Sequence, residues 1–192
     1  MAKQRPAPRT ASGTDSLRAF LCGGDRRSIA QSKQALAFVR ANPKLIPQLA
    51  VLAEDKDWLV SMRATDLLEK LAHENREWIE PHKGVFIGAL ADDDHWEVRL
   101  QVVRALPLFR WSPAEEKRVV GILLRDAEHP QKFVRAWAVD SLAHFAERDR
   151  GLMPKVHRCL RQFKRSGSKA LMSRGRQILV RMAGSAGVRK GR

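Results

Sequence analysis

The chain contains two cysteines, Cys22 and Cys159. Two thiols cannot build a disulfide framework or an all-cysteine zinc site, so a reducing, cytoplasmic setting is expected. Tyrosine is absent. Uninterrupted apolar runs extend over only a few residues, which excludes a bilayer-spanning helix from the expectation. The first ten residues have no apolar core segment, so no secretory signal is expected. Their prolines, Pro6 and Pro8, and the missing apolar helical face also argue against a transit peptide. Little of the chain alternates with period 2, so a sheet is not expected. No metal-ligand spacing, phosphate loop or nucleophile elbow is present, and the six histidines are scattered. No catalytic residue, metal or cofactor is therefore assigned. The run Asp92-Asp93-Asp94 reads as a turn feeding a helix N-terminus, where carboxylates oppose the helix dipole. Residues 151–192 lack acidic side chains altogether.

What is present is a basic, moderately apolar chain of 192 residues, 44% hydrophobic, with net charge +15. The charge is unevenly placed. Residues 1–40 carry 8 basic and 2 acidic side chains, residues 41–110 carry 9 and 12, and residues 111–150 carry 7 and 7. Residues 151–192 carry 12 basic ones. A basic end attracts nucleic acid, anionic lipid or an acidic protein, or serves only as a solvated surface.

An internal repeat organises the rest. Trp58-Leu-Val60, Trp96-Glu-Val98 and Phe133-Val134 open three similar segments, and a weaker copy starts at Leu171. Val60, Val98, Val134 and Leu171 lie 38, 36 and 37 residues apart. Each copy has apolar or small residues at offsets 0, 4, 7 and 8, one stripe of a helix. A faint earlier copy falls at Ser28, Ser32, Ala35 and Leu36. Between the copies the pattern predicts a second set of helices over Pro43–Ala53, Pro81–Ala91, Ser112–Asp126 and Gly151–Phe163. Ser112-Pro113-Ala114-Glu115 reads as a capping box with proline at the first helical position. Asp94 and Ser168 are placed to cap the helices of Trp96 and Leu171. Asn42-Pro43, His129-Pro130 and Ser166-Gly167-Ser168 mark breaks.

Two helices per repeat, stacked at least four times, make an α-solenoid. The Trp-x-Val-Arg segments, with Ala and Leu following at helical spacing, resemble the HEAT-repeat family over roughly Ser28 to Met182. The resemblance implies an all-α, right-handed superhelix of four to five helix pairs, with the repeat domain over 15–183. Residues 1–14 would be a disordered basic tail and 184–192 a flexible one. It also implies a ladder in which an acid before the second helix bonds the Arg after the Val. Arg99 and Arg135 match that Arg, with Asp93 and Glu128 as the nearest acids. Ser61 and Met172 depart from the pattern, so the ladder is expected to fail at both ends. A weaker similarity connects the chain to HEAT-like DNA glycosylases that remove alkylated bases. Those enzymes present Trp, an acid and Arg on the concave face. Arg99 after Trp96 matches such an Arg, while the carboxylate has no counterpart nearer than Asp66.

The candidate surfaces follow. Second helices line the concave face, by resemblance. Offset 6 then gives Asp66, Arg104 and Asp140, whose alternating signs suit ion pairs between repeats more than a phosphate track. Met62, Leu100, Val103 and Val139, at offsets 2 and 5, form an apolar strip. It either packs neighbouring helices together or, with Arg104, receives a partner helix or peptide. Trp111, beside Arg110, is a core residue or an exposed stacking platform. At the basic end, Arg158, Arg161, Lys164, Arg165, Lys169, Arg174 and Arg176 are the candidates for nucleic acid or an acidic partner, and Arg158, Arg161 and Arg165 share a helix face. The expected function is a monomeric, non-catalytic scaffold that binds a protein partner, without membrane association. The alternative is a DNA-binding protein, including a HEAT-like glycosylase.

Overall fold

The computed structural model describes residues 13–25 and 30–189, of which 13–15 and 185–189 are described as backbone only. Ten α-helices connect through turns and short 3-10 segments, with no strand among the described residues. They are α1 (Gly13–Leu21), α2 (Ser32–Ala41), α3 (Ile46–Leu52), α4 (Trp58–Glu74), α5 (Arg76–Ile79), α6 (Trp96–Ala105), α7 (Pro113–Asp126), α8 (Lys132–Ala146), α9 (Met153–Arg165) and α10 (Lys169–Arg189). The described residues fall into two compact units that divide between Leu68 and Glu69, within the repeat domain expected over 15–183. Most of the tail expected over 1–14 lies outside the described residues, as does Ser28. The tail expected over 184–192 falls partly on α10.

The predicted stripe is the core. Val60, Ala64, Leu67 and Leu68 are buried on α4, as are Val98, Val102, Ala105 and Leu106 on α6 and the adjoining turn. Val134, Ala138, Ser141 and Leu142 repeat the pattern on α8, and Leu171, Gly175 and Ile178 on α10. The last copy loses its final position, because Leu179 is exposed. Ser141 fits the stripe by donating its hydroxyl to the Val103 carbonyl at 2.6 Å, so this hydroxyl is not buried unpaired.

The entry to each of these helices is built the same way. A side chain accepts a hydrogen bond from the backbone N–H two residues on: Asp55 from Asp57 at 2.8 Å, Asp93 from His95 at 2.7 Å, His129 from Gln131 at 3.0 Å and Ser166 from Ser168 at 3.2 Å. Such local turns end one helix and aim the next. Asp93 therefore takes the place expected for Asp94. Ser168 does cap α10, accepting from Leu171 N–H. The chain reverses after α9 at Gly167, whose φ of +68° favours a residue without a Cβ.

The first helices are less uniform. α7 forms as expected, its capping box closed by Ser112 and Glu115 in both directions. The helix expected over Pro81–Ala91 does not form. The short α5 passes into 3-10 segments at Glu80–Ile87 and Ala89–Asp92. Pro81 removes a backbone donor there, and Gly84 and Gly88 withdraw helix propensity over the next two turns.

In the unit of residues 1–68, α1 packs on α2 and α3. Arg63 is 2% exposed and donates to the carbonyls of Leu21 and Asp25 at 2.5 and 3.0 Å, so a buried cation closes the C-terminal end of α1. Ser61 donates to the Ala53 carbonyl at 2.6 Å. Arg18 binds Asp55 at 2.8 Å and holds its carboxyl below the usual carboxylate range. In the unit of residues 69–192, α8 is central and packs against α6, α7, α9 and α10.

Candidate functional site

The second helices of the 69–192 unit carry an alternating series of charges around one tryptophan. Trp137 lies on α8, and the guanidinium groups of Arg104 (α6) and Arg174 (α10) stand 5.1 and 3.7 Å from its ring centroid. Cations at this range gain from the negative face of the ring. Arg104 also binds the fully buried carboxylate of Glu69 at 2.9 Å, and His73 reaches the same oxygen at 3.0 Å. On α8, the buried Asp140 accepts from Arg174 at 3.0 Å and from Arg181, which also donates to the Asp140 carbonyl at 2.9 Å.

His73, Arg104, Trp137, Asp140 and Arg181 border a cleft of about 140 Å³, together with Pro107, Leu108, Ser141 and His144. Burial, with Arg148 and Arg181 adding to it, pushes the His144 imidazole below its usual pKa and keeps it neutral near pH 7. Both carboxylates are engaged by guanidinium groups. The arrangement is thus suited to hydrogen bonding and stacking through its arginines and Trp137 rather than to moving a proton. The pairing of charges between repeats was anticipated at Arg104 and Asp140, but the partners differ. Glu69 takes Arg104, and Arg174 and Arg181 take Asp140, while Arg176 is exposed.

The other sequence candidates separate sharply. Val103 and Val139 are fully buried and offer no surface to a partner, because adjacent second helices close over them. Met62 and Leu100 are half-buried. Trp111 is half-buried, donates its indole N–H to the Leu106 carbonyl at 2.7 Å, packs edge-on against Phe109 and lies under Lys83 at 5.0 Å. Trp96 stacks on Phe133.

The ladder arginines also require correction. Arg99 donates to Asp126 at the end of α7, not to Asp93, and Arg125 binds Asp126 from the same helix at 2.9 Å. Arg99 is thus held by an ion pair within the fold. Glu128 is exposed and faces Arg158 at 3.6 Å, not Arg135. Buried Arg63 and Glu69 were not singled out from sequence. Their only signal was a charge placed beside the apolar stripe.

At the basic end, Arg174 is engaged by the Trp137 ring and Asp140. Arg158, Arg161, Lys164, Arg165, Lys169 and Arg176 are exposed. Of these, only Arg158 makes an ion pair among the described residues. α9 therefore shows solvent a run of unneutralised cations above a buried face of Val156, Cys159, Leu160 and Phe163. No described helix is long and apolar enough to cross a membrane.

No protein-family profile and no curated protein matches this chain. Solved structures do. One is an engineered protein from a structural genomics consortium, 17% identical, with a TM-score of 0.58 over 86% of this chain and 79% of that one. The fold is an all-α solenoid of helical repeats. A second similar structure is a designed armadillo repeat protein in complex with the peptide (KR)4. It is 16% identical, with a TM-score of 0.55 over 85% of this chain and 79% of that one. At these identities the likeness concerns the fold alone.

Proposed function

We propose that this protein is a HEAT-type repeat scaffold that captures a segment of a partner protein without chemistry. The observation that carries this reading is the Trp137 cleft. A half-buried indole and two arginines that keep part of their surface in water, Arg104 and Arg181, line it, Arg174 stands over the same indole, and both acids are neutralised from within. Aromatic and arginine side chains so placed are the usual anchors of protein recognition. A peptide bound to a designed protein of the same fold class supports the choice of ligand. The test is a pull-down with and without nuclease, repeated with Trp137→Ala and Arg174→Ala. A nuclease-resistant partner lost from both variants, at unchanged helical content, supports the reading. Capture that survives both variants removes the cleft from it.

A second reading, nucleic-acid binding, rests on the unpaired cations of α9 and the start of α10. Arg161, Lys164, Arg165 and Lys169 would track phosphates and make affinity fall with salt at a log–log slope of roughly −3 to −4 on duplex DNA. Anisotropy on random-sequence duplex at two salt concentrations decides it. Its enzymatic form draws on Trp137, Asp140 and Arg174, a tryptophan, acid and arginine gathered on one face. Release of an alkylated base that stops in Asp140→Asn is the outcome it requires.

A further inference from the structure

The repeat supplies its own control for an incomplete site. Arg99 and Arg135 occupy the same place at the start of α6 and α8. The guanidinium of Arg99 is met by Asp126, the last residue of α7. In the next repeat α9 takes the part of α7: Val119, Leu123 and Asp126 correspond to Val156, Leu160 and Phe163, each 37 residues on and each buried. The position of the carboxylate is therefore held by a phenyl ring.

Arg135 consequently has no ion pair and no side-chain hydrogen bond among the described residues. Its Nε is shut off from solvent and bonded to nothing, as is that of Arg99, so the difference between the two lies in the terminal nitrogens, which Asp126 meets in Arg99 alone. Beside Arg135 opens a cavity of about 440 Å³. Ala127, Phe163 and Leu171 give it an apolar wall, and Gln162 and Ser166 give it hydrogen-bonding groups. Glu128 stands at its edge, largely exposed and turned to Arg158. A half-buried guanidinium left without its counter-ion is costly, and a carboxylate placed on its two-pronged donor face removes that cost.

We propose that this cavity is a binding site for the carboxylate of an aspartate or glutamate on an acidic polypeptide segment, which supplies from outside what Asp126 supplies from within. The apolar wall takes the methylene stem and Arg135 takes the charge. Exposed Arg161, Lys164, Arg165 and Lys169 on α9 and α10 favour neighbouring acids of the same segment. The carboxylate of Glu128 at the edge disfavours a doubly charged phosphate. The site is separate from the Trp137 cleft. Arg135 and Trp137 are two residues apart on α8 and so face roughly opposite directions. The proposal thus stands or falls independently of the scaffold reading.

The test uses the full chain and a fluorescein-labelled peptide of alternating glycine and glutamate, with the glycine–glutamine peptide as its neutral counterpart. Anisotropy at near-physiological salt should detect the glutamate peptide alone. Arg135→Ala should weaken it about tenfold, the worth of one charge-assisted hydrogen-bonded contact. Arg118→Ala, an equal loss of charge at an exposed site on α7, should weaken it less than about twofold. Melting temperature provides the second measurement. Arg135→Ala should melt at or above the wild type and Arg99→Ala below it. Equal weakening by the two charge losses, or equal binding of the glutamine peptide, overturns the proposal. So does an Arg135→Ala chain that melts as low as Arg99→Ala or fails to fold, since Arg135 would then have an internal partner. Duplex DNA that binds and loses the same tenfold on Arg135→Ala would reassign the site to phosphate.

Discussion

Helices α8 and α9 are adjacent in sequence and packed together, yet they use their charges in opposite ways. On α8, ten of fifteen residues are buried, among them Asp140, whose carboxylate binds two arginines of α10. On α9, four of thirteen are buried, all apolar or cysteine, and the cations project into solvent. The difference follows from position in the stack. A second helix in the interior has neighbours on several sides, so a charge on it must be paired or excluded. A first helix near the end has one covered face, and its remaining positions tolerate any number of cations. Charge on α8, with Arg135 as the exception, therefore reports architecture, and charge on α9 is available for binding.

The comparison can be broken most forcefully in its packing. Leu142→Ala on α8 removes a fully buried side chain and should cost about 2–5 kcal/mol in urea unfolding. A smaller loss would mean that α8 can collapse around the void and is less central than its contacts imply. Next is the interior ion pair. Arg99→Ala leaves the fully buried Asp126 with Arg125 alone and should cost about 2–3 kcal/mol. A neutral result would place that pair with the solvated charges of α9.

Stability should also fall with acid. Burial, then nearby Arg99, holds His129 below its usual pKa of 6.5, and its Nδ1 accepts the Gln131 N–H. His144 is shifted the same way. The unfolded chain thus binds more protons than the folded one as pH drops through 6.5, so the native state loses stability below that pH and gains none above it. Asp55, lowered by Arg18, adds a further loss below its ordinary value of 3.8. Urea midpoints at pH 7.5 and 5.5 check the first stage, and His129→Gln should flatten it. A midpoint that rises on acidification would contradict the sign.

Gly175 tests the junction of α9 and α10. A Cβ there would meet Phe163 and Leu160 at 3.6 and 3.7 Å, ordinary contact distances. Gly175→Ala should stabilise by about 0.5–1 kcal/mol through helix propensity. The smallest effect belongs to the α9 surface: Arg161→Gln with Arg165→Gln should move stability by less than about 0.5 kcal/mol. A larger shift would show that these cations hold the fold.

Much of the fold was legible in the residues themselves. Period 3.6 and the recurrence of Val60, Val98, Val134 and Leu171 located four second helices and the apolar stripe that each buries, while on α8 six further buried positions lay outside that stripe; helical periodicity is a local property that neighbours along the chain impose. Ser112 and Glu115 announced α7 for the same reason. Only the tertiary structure decided which charges meet. Asp126 lies 27 residues from Arg99 and Arg181 lies 41 from Asp140, separations at which the distance between side chains depends on how whole helices stack. It also decided that Val103 and Val139 are core, that Pro81–Ala91 breaks into 3-10 segments, and that Arg135 lines a cavity with Phe163 where Arg99 meets an acid. Each of these outcomes rests on which surfaces are covered, and burial is a property of the assembled helices rather than of any one segment.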